Sequence, residues 1–433
     1  MANIKKENND FKSQFQKSNV NFKSQMSTSK VKIQLQKSNV NFKRRKSKLK
    51  QIMIQTAKRL NALEEYYFSK KLREVRQLML EGKPIINMGI GSPDLAPDNS
   101  VLNAIQNSLN DDKAHEYQSY QGLPELRKGM ADFYKNQFQV DLDFATEILP
   151  LMGSKEGIMH ISMAFLNEGD EVLIPNPGYP TYASVTQLVQ AKAIYYDLKE
   201  ENNWFPDLEK LEQLDLSKVK IMWVSYPHMP TGANGNLEVF TKLIAFAKKY
   251  NILIVNDNPY SFVLNDNPIS ILQIDGASDC AIELNSLSKT FNMAGWRVGM
   301  VLGNANFIEA ILKVKSNMDS GMFYGIQKGA IAALKLGKDW FKSQNEIYRK
   351  RRDLIFKLAE KLHCTYDKNS VGLFVWAKLP SNIKSAEAFI DNLLKEKHLF
   401  VTPGTIFGSN GEGFIRFSLC VSEEKIQEAI DRV

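Results

Sequence analysis

Ser286-Leu287-Ser288-Lys289-Thr290-Phe291, followed by Gly295-Trp296-Arg297-Val298-Gly299, decides how this chain is read. The lysine follows two serines and precedes a threonine, just after a mainly apolar run from Cys280 to Leu284 that predicts a strand. Arg297 follows eight residues later, where a second apolar run begins. A lysine at the end of a buried strand can form an imine with an aldehyde. Hydroxyls and a guanidinium around it suit a phosphate dianion. A phosphorylated aldehyde therefore fits both parts of the segment. From these residues alone, an exposed loop lysine is the plain alternative.

Pyridoxal phosphate (PLP) is such an aldehyde, and it makes further demands that can be sought along the chain. Its pyridine nitrogen must stay protonated if the ring is to accept electrons, which calls for a buried carboxylate beside it. Asn251-Ile252-Leu253-Ile254-Val255-Asn256-Asp257 reads as an apolar strand ending in Asp257. Tyr260 follows after Pro259, where a phenol can reach the ring oxygen. A turn or cap aspartate is the other reading of Asp257. The phosphate also wants backbone N–H groups at a helix start. Gly153-Ser154-Lys155-Glu156-Gly157 supplies one, opening a helical run through Ile158, Ile161, Ala164 and Phe165. Ser154 as an ordinary N-cap is its alternative. The ring face needs an aromatic lid. Tyr179, between the prolines of Pro175-Asn176-Pro177-Gly178-Tyr179-Pro180, offers one. It also reads as a packed surface tyrosine.

In order, Gly-Ser-Lys-Glu-Gly, Pro-Gly-Tyr-Pro, Pro230-Thr231-Gly232, Asp-x-x-Tyr and Ser-x-Ser-Lys…Arg resemble the class I/II aminotransferases of PLP fold type I. The resemblance runs from about Met53 to the end. It implies an α/β fold: a large PLP-binding domain with a mostly parallel seven-stranded sheet, plus a smaller α+β domain. The implied boundaries are 97–330 for the large domain and 53–96 with 331–433 for the small one. The resemblance also implies roles. Lys289 is the Schiff-base lysine and the base for the α-proton, and Asp257 partners the pyridine nitrogen. Tyr260 touches the ring oxygen and Tyr179 stacks on the ring. Gly153, Ser154, Lys155, Ser286, Ser288 and Arg297 surround the phosphate. Gly91, in Met88-Gly89-Ile90-Gly91-Ser92-Pro93-Asp94, lies near the substrate carboxylate. Arg416, in Gly413-Phe414-Ile415-Arg416-Phe417-Ser418, grips that carboxylate, and a bidentate guanidinium suits the task. Tyr117, opening Tyr117-Gln118-Ser119-Tyr120-Gln121-Gly122-Leu123-Pro124-Glu125-Leu126-Arg127, reaches the phosphate of the neighbouring subunit, which implies a homodimer with shared sites.

One segment departs from the family pattern Asn-Pro-x-Asn-Pro-Thr-Gly. Here it reads Tyr226-Pro227-His228-Met229-Pro230-Thr231-Gly232, and Met229 replaces the asparagine that donates to the cofactor's phenolic oxygen. A thioether has no donor. His228 is next door, but successive strand side chains point to opposite faces, so it is not expected to be a ligand.

The 433 residues are 24% charged and 43% hydrophobic, enough for one large and one small domain. No run of about 18 apolar residues spans a membrane. Three scattered cysteines without CxxC spacing point to a reducing compartment and a cytoplasmic protein. The five histidines show no metal-ligand spacing, and no metal is expected. Apolar runs near 171–174, 219–225, 252–256, 280–285 and 298–302 alternate with helical or loop stretches, which predicts a mostly parallel sheet.

The first fifty residues differ from the rest. Fourteen Lys/Arg against Glu7 and Asp10 give +12, while the whole chain is +8, so residues 51–433 carry −4. The basic balance belongs to this tail and gives the enzyme body no nucleic-acid or membrane partner. Gln16 to Lys23 recurs as Gln36 to Lys43, and the low apolar content predicts disorder over 1–52. The tail reads as an upstream extension, a targeting presequence or an arm for an anionic surface. From Met53 the chain resembles the family's N-terminal helix, with Leu60, Leu63, Tyr67 and Leu72 on one face. The expected function is transfer of an amino group from an L-amino acid to a 2-oxo acid, 2-oxoglutarate or pyruvate. Other PLP chemistry on the same scaffold, a C–S lyase or a decarboxylase, is the alternative. A PLP-binding regulator is a further one, but the tail lacks the paired apolar helices of a DNA-binding module.

Overall fold

The computed structural model describes residues 54–61 and 67–433. The disorder expected over 1–52 lies outside the described residues, as does Leu63. Contacts divide the chain after Leu60. In the first unit, one 3-10 turn spans Lys58–Leu60, and its Leu60 is exposed rather than on a packed helical face. In the second unit, the helix Tyr67–Leu80 packs Leu72 and Val75 onto the core.

The described residues form thirteen strands: β1 (Ile86–Asn87), β2 (Ile148–Leu151), β3 (Glu171–Asn176), β4 (Lys192–Asp197), β5 (Val219–Val224), β6 (Leu253–Asp257), β7 (Ala281–Ser286), β8 (Gly299–Gly303), β9 (Thr365–Tyr366), β10 (Phe374–Lys378), β11 (Leu399–Phe400), β12 (Thr402–Pro403) and β13 (Phe414–Ser418). Seven of them form one sheet in the order β2-β8-β7-β6-β5-β3-β4. The pairs β3–β4, β3–β5, β5–β6 and β6–β7 are parallel, and β8 runs antiparallel to both neighbours. The fold is α/β with a mostly parallel sheet.

The central strands are mainly apolar because both faces are covered. Trp223, Val255, Ile282 and Leu284 pack on one side with the helix Ser154–Phe165. Met222 and Ile254 pack on the other with Phe240 and Leu243 of the helix Leu237–Tyr250. Each such side chain stabilises the fold by about 1.5–3 kcal/mol. That coverage explains why these strands read as near-continuous apolar runs rather than as alternating ones. A second, antiparallel sheet in the order β12-β13-β10-β9 carries its own core around Leu373, Val375, Ile415 and Phe417. β1 and β11 form a short parallel pair.

Among the described residues no helix is long and apolar enough to cross a membrane. All three cysteines are free thiols and buried.

Candidate active site

Strands β5, β6 and β7 end side by side, and ligands of open α/β sheets bind at such carboxyl ends. A cavity of about 630 Å³ opens there. Its walls include Ser154, Lys155, Tyr179, Asp257, Tyr260, Ser286, Ser288, Lys289 and Arg297 from around the large sheet, with Gly91 and Arg416 from the other side. Residues more than three hundred positions apart in sequence thus share one space. Tyr117 does not line the cavity and is 93% exposed.

Lys289 is not the exposed loop lysine of the alternative reading. It sits in the short helical turn Leu287–Thr290 straight after β7, and its Nζ donates to the Gly91 carbonyl. Burial pushes the ammonium's pKa down, and the Arg416 and Arg297 cations push the same way. The uncharged amine, the form that attacks an aldehyde or takes a proton, is therefore favoured.

Asp257 ends β6 and is buried, so it is not a surface turn residue. Oδ2 accepts from the Tyr182 hydroxyl at 2.8 Å, and Oδ1 is buried without a hydrogen-bond partner. Burial raises its pKa to about 6, and the Tyr182 hydrogen bond opposes the rise. Tyr182 is held by stacking on Trp223, with ring centroids 4.8 Å apart and planes at 7°. Tyr179 meets Tyr182 edge-on at 5.6 Å. Tyr260 lies against Phe374, and burial raises its pKa, which keeps the phenol protonated as a donor.

The third corner is built from backbone. Gly153, not Ser154, is the cap of the helix Ser154–Phe165, and no side chain caps its first N–H groups. Those donors, with the positive end of the helix dipole, suit an anion. Gly153 has φ +91°, and a side chain there would collide with the Arg297 guanidinium. Gly299 is equally constrained, because a Cβ would come within 2.6 Å of the Ser154 amide nitrogen. Arg297 is anchored through Nη1 to the Ala294 carbonyl at 2.9 Å. Ser286 caps the Lys289 turn by accepting from the Ser288 amide at 3.1 Å.

Across the cavity, Arg416 of β13 lies between two rings, 3.9 Å from the Phe374 centroid and 4.7 Å from that of Phe407. Stacked contacts of this kind orient a guanidinium. Its Nη2 donates to the Gly89 carbonyl at 2.8 Å, and Nη1 meets Met229 Sδ at 3.4 Å. Gly91 is a close-approach glycine, since a Cβ would strike the Phe374 ring.

The sequence reading missed Tyr182, Ser225, Phe374 and Phe407, which also line the cavity. Tyr182 stands three residues beyond Tyr179 on the following helix, a spacing that could have flagged it. Ser225 fixes the end of β6 by donating to the Asp257 carbonyl at 2.9 Å. His228 is buried and bonded to Thr231 at 2.7 Å, outside the cavity wall. Glu156, His160 and Asp319 come together in space, a grouping invisible in the linear spacing. Asp319 is already matched by the buried Lys315 ammonium at 2.8 Å.

PLP fits these residues. The orphaned Asp257 oxygen matches a protonated pyridine nitrogen, and the uncapped helix start beside Arg297 matches a phosphate. Comparison with known proteins decides the family. The family model "Aminotransferase class I and II" matches residues 83–433. The chain belongs to that family. This class I and II aminotransferase is a PLP-dependent transaminase. It is 40% identical over 383 residues to the LL-diaminopimelate aminotransferase of Aquifex aeolicus, covering 88% of this chain and 99% of the relative. The enzyme of the same name from Maridesulfovibrio salexigens is 41% identical over 380 residues, covering 87% and 98%. Among solved structures, apo-BacF from Bacillus subtilis superposes with a TM-score of 0.84 at 36% identity, covering 88% of this chain and 98% of that one. A Thermus thermophilus aspartate aminotransferase mutant, 23% identical, shares the fold with a TM-score of 0.82, covering 88% and 99%.

Proposed function

We propose that this transaminase moves the amino group of an L-amino acid to 2-oxoglutarate or pyruvate. The observation that carries the reading is the single cavity in which the Lys289 amine, the orphaned Asp257 oxygen and the Arg416 guanidinium face a common space. Bound PLP supplies an electron sink for the charge left when the α-proton departs. Lys289 first holds the cofactor covalently, then takes and returns the α-proton as an uncharged amine. Arg416 grips the α-carboxylate near Gly91. Asp257 accepts from the pyridine N–H, Tyr260 donates to the ring oxygen and Tyr179 covers the ring face. Gly153, Ser154, Lys155, Ser286, Ser288 and Arg297 surround the phosphate. Residues 97–330 act as the PLP-binding domain and residues 53–96 with 331–433 as the small domain. The enzyme works in the cytoplasm.

LL-diaminopimelate, named in the relatives' descriptions, is the first donor to test. A second reading has its own observation. Beyond the cofactor residues, the described walls at Ser69, Phe374, Thr402, Ile406 and Phe407 carry no formal charge, which favours an uncharged donor side chain. The test is a panel of amino donors in single half-reactions, followed by the cofactor's absorbance. Conversion of a donor to its 2-oxo acid, with transfer to 2-oxoglutarate or pyruvate, supports the reading. Release of carbon dioxide or a thiol in place of a 2-oxo acid refutes it.

The exposed Tyr117 fits a homodimer in which it completes the partner's phosphate site. Tyr117→Phe is expected to weaken PLP retention. Mixing Tyr117→Phe with Lys289→Ala subunits should restore some activity, because one site type in the hybrid carries neither defect. A fully active monomer in analytical centrifugation argues against shared sites.

Met229 gives the third expectation. It lines the cavity and directs its sulfur to Arg416, so Tyr260 is left to donate to the ring oxygen alone. With one donor fewer, the nitrogen joining Lys289 to PLP keeps its proton to higher pH. Met229→Asn should lower that midpoint by about one unit, or ~1.4 kcal/mol, in an absorbance titration. An unchanged or raised midpoint shows that another group already supplies the bond.

A further inference from the structure

Glu283, on the strand that leads to Lys289, has no part in the roles above. It pairs in register with Asn256, one residue before Asp257, so its side chain leaves the sheet on the face opposite that of Asp257. It is 0% exposed. Its carboxylate takes four hydrogen bonds. Tyr134 Oη and Asn258 Nδ2 donate to Oε1 at 2.8 and 3.3 Å. Asn256 Nδ2 and the Ile271 amide donate to Oε2 at 3.0 and 3.1 Å.

The directions of these bonds are fixed by their neighbours. Asn256 Oδ1 accepts from the Tyr226 amide at 3.0 Å, so its amino group must face Glu283. Asn285 Oδ1 accepts from the Ser286 amide at 2.7 Å, so its amino group faces Tyr134 Oη at 3.0 Å. The Tyr134 proton is thereby committed to Glu283. A carboxyl met by four donors belongs there as the carboxylate. Burial raises its pKa, and the hydrogen bonds from Asn256, Tyr134, the Ile271 amide and Ser270 oppose the rise.

The reach of this network is what matters. Asn256 and Asn258 stand on either side of Asp257. Asn258 also accepts from the Ser261 hydroxyl, next to Tyr260. Asn285 holds the Ser286 amide. We infer that Glu283 is a positioning residue, whose carboxylate sets the placement of Asp257, Tyr260 and Ser286 towards the cofactor through Asn256, Asn258 and the Tyr134–Asn285 pair. One anion thereby ties together the ends of β5, β6 and β7, and removing it leaves several buried donors unmatched at once.

Two variants test the inference, each read by cofactor retention and by the pH midpoint of the bound cofactor's absorbance. Glu283→Gln keeps the shape but turns an amino group towards donors. It should weaken PLP binding by about tenfold or more and move the midpoint. Tyr134→Phe leaves the carboxylate three donors and disconnects the Asn285–Ser286 branch. It should weaken retention with the midpoint unmoved. A purely structural Glu283 would lower the melting temperature and leave both readouts of the folded variant as in the wild type, and that result overturns the inference. If Glu283→Gln does not fold, wild-type retention in Tyr134→Phe overturns it alone, and weakened retention supports it. The inference rests on the roles proposed for Asp257, Tyr260 and Ser286. Asp257→Asn and Ser286→Ala check those roles separately, because normal retention in both variants refutes the roles themselves.

Discussion

Lys289→Ala is expected to lower transamination at least about a thousandfold. Two functions are lost together, the covalent hold on the cofactor and the base for the α-proton. Burial depresses the pKa of this amine and Arg416 and Arg297 push the same way, and among the described residues no other lysine of the cavity wall follows directly on β7. Lys155 also lines the cavity, but at the phosphate corner on the helix start. Single-turnover measurements separate the two losses: donor binding should survive in the variant while proton transfer stops. A loss of less than about tenfold would show that another group serves as the base.

Asp257→Asn should produce the second largest effect. An asparagine can still accept from Tyr182, but it offers no charge to a protonated pyridine nitrogen. Losing a charge-assisted hydrogen bond weakens cofactor retention by about 10–100-fold. Turnover should fall further, since an unprotonated ring accepts electrons poorly. The pH profile gives a separate signature. In the empty site Asp257 has a pKa of about 6, raised by burial, so below that pH it holds a proton that cofactor binding must expel. Wild-type affinity should therefore fall as pH drops through 6, by up to about tenfold per unit. The cofactor's own phosphate also takes up a proton near there. The decisive quantity is thus the difference between the profiles: Asp257→Asn should lack the carboxylate's share of the slope. Parallel profiles would remove Asp257 from contact with the ring nitrogen.

Much of the sheet was legible because its central strands are buried on both faces. Val219–Val224, Leu253–Asp257, Ala281–Ser286 and Gly299–Gly303 lie within two residues of the apolar runs read from the sequence. The edge strand Lys192–Asp197 was not read. Apart from the buried Tyr196 its residues are exposed or half-buried, and Lys192, Tyr195 and Asp197 dilute the apolar signal. The reversal of β8 was also hidden, since an apolar run carries no direction. The aromatic clamp on Arg416 was out of reach for another reason: Phe374 and Phe407 meet it only through the pairing of β10 with β13 and a turn after β12. Glu283 passed unremarked inside the run from Cys280 to Leu284. Its donors come from three other parts of the chain, which only the fold brings together.

One covalent bond, between Lys289 and the cofactor, underlies the proposed function. Borohydride reduction of the purified enzyme, followed by peptide mapping, should fix the cofactor to the peptide carrying Lys289. Label on any other lysine, or no label on an enzyme that retains PLP, would contradict it.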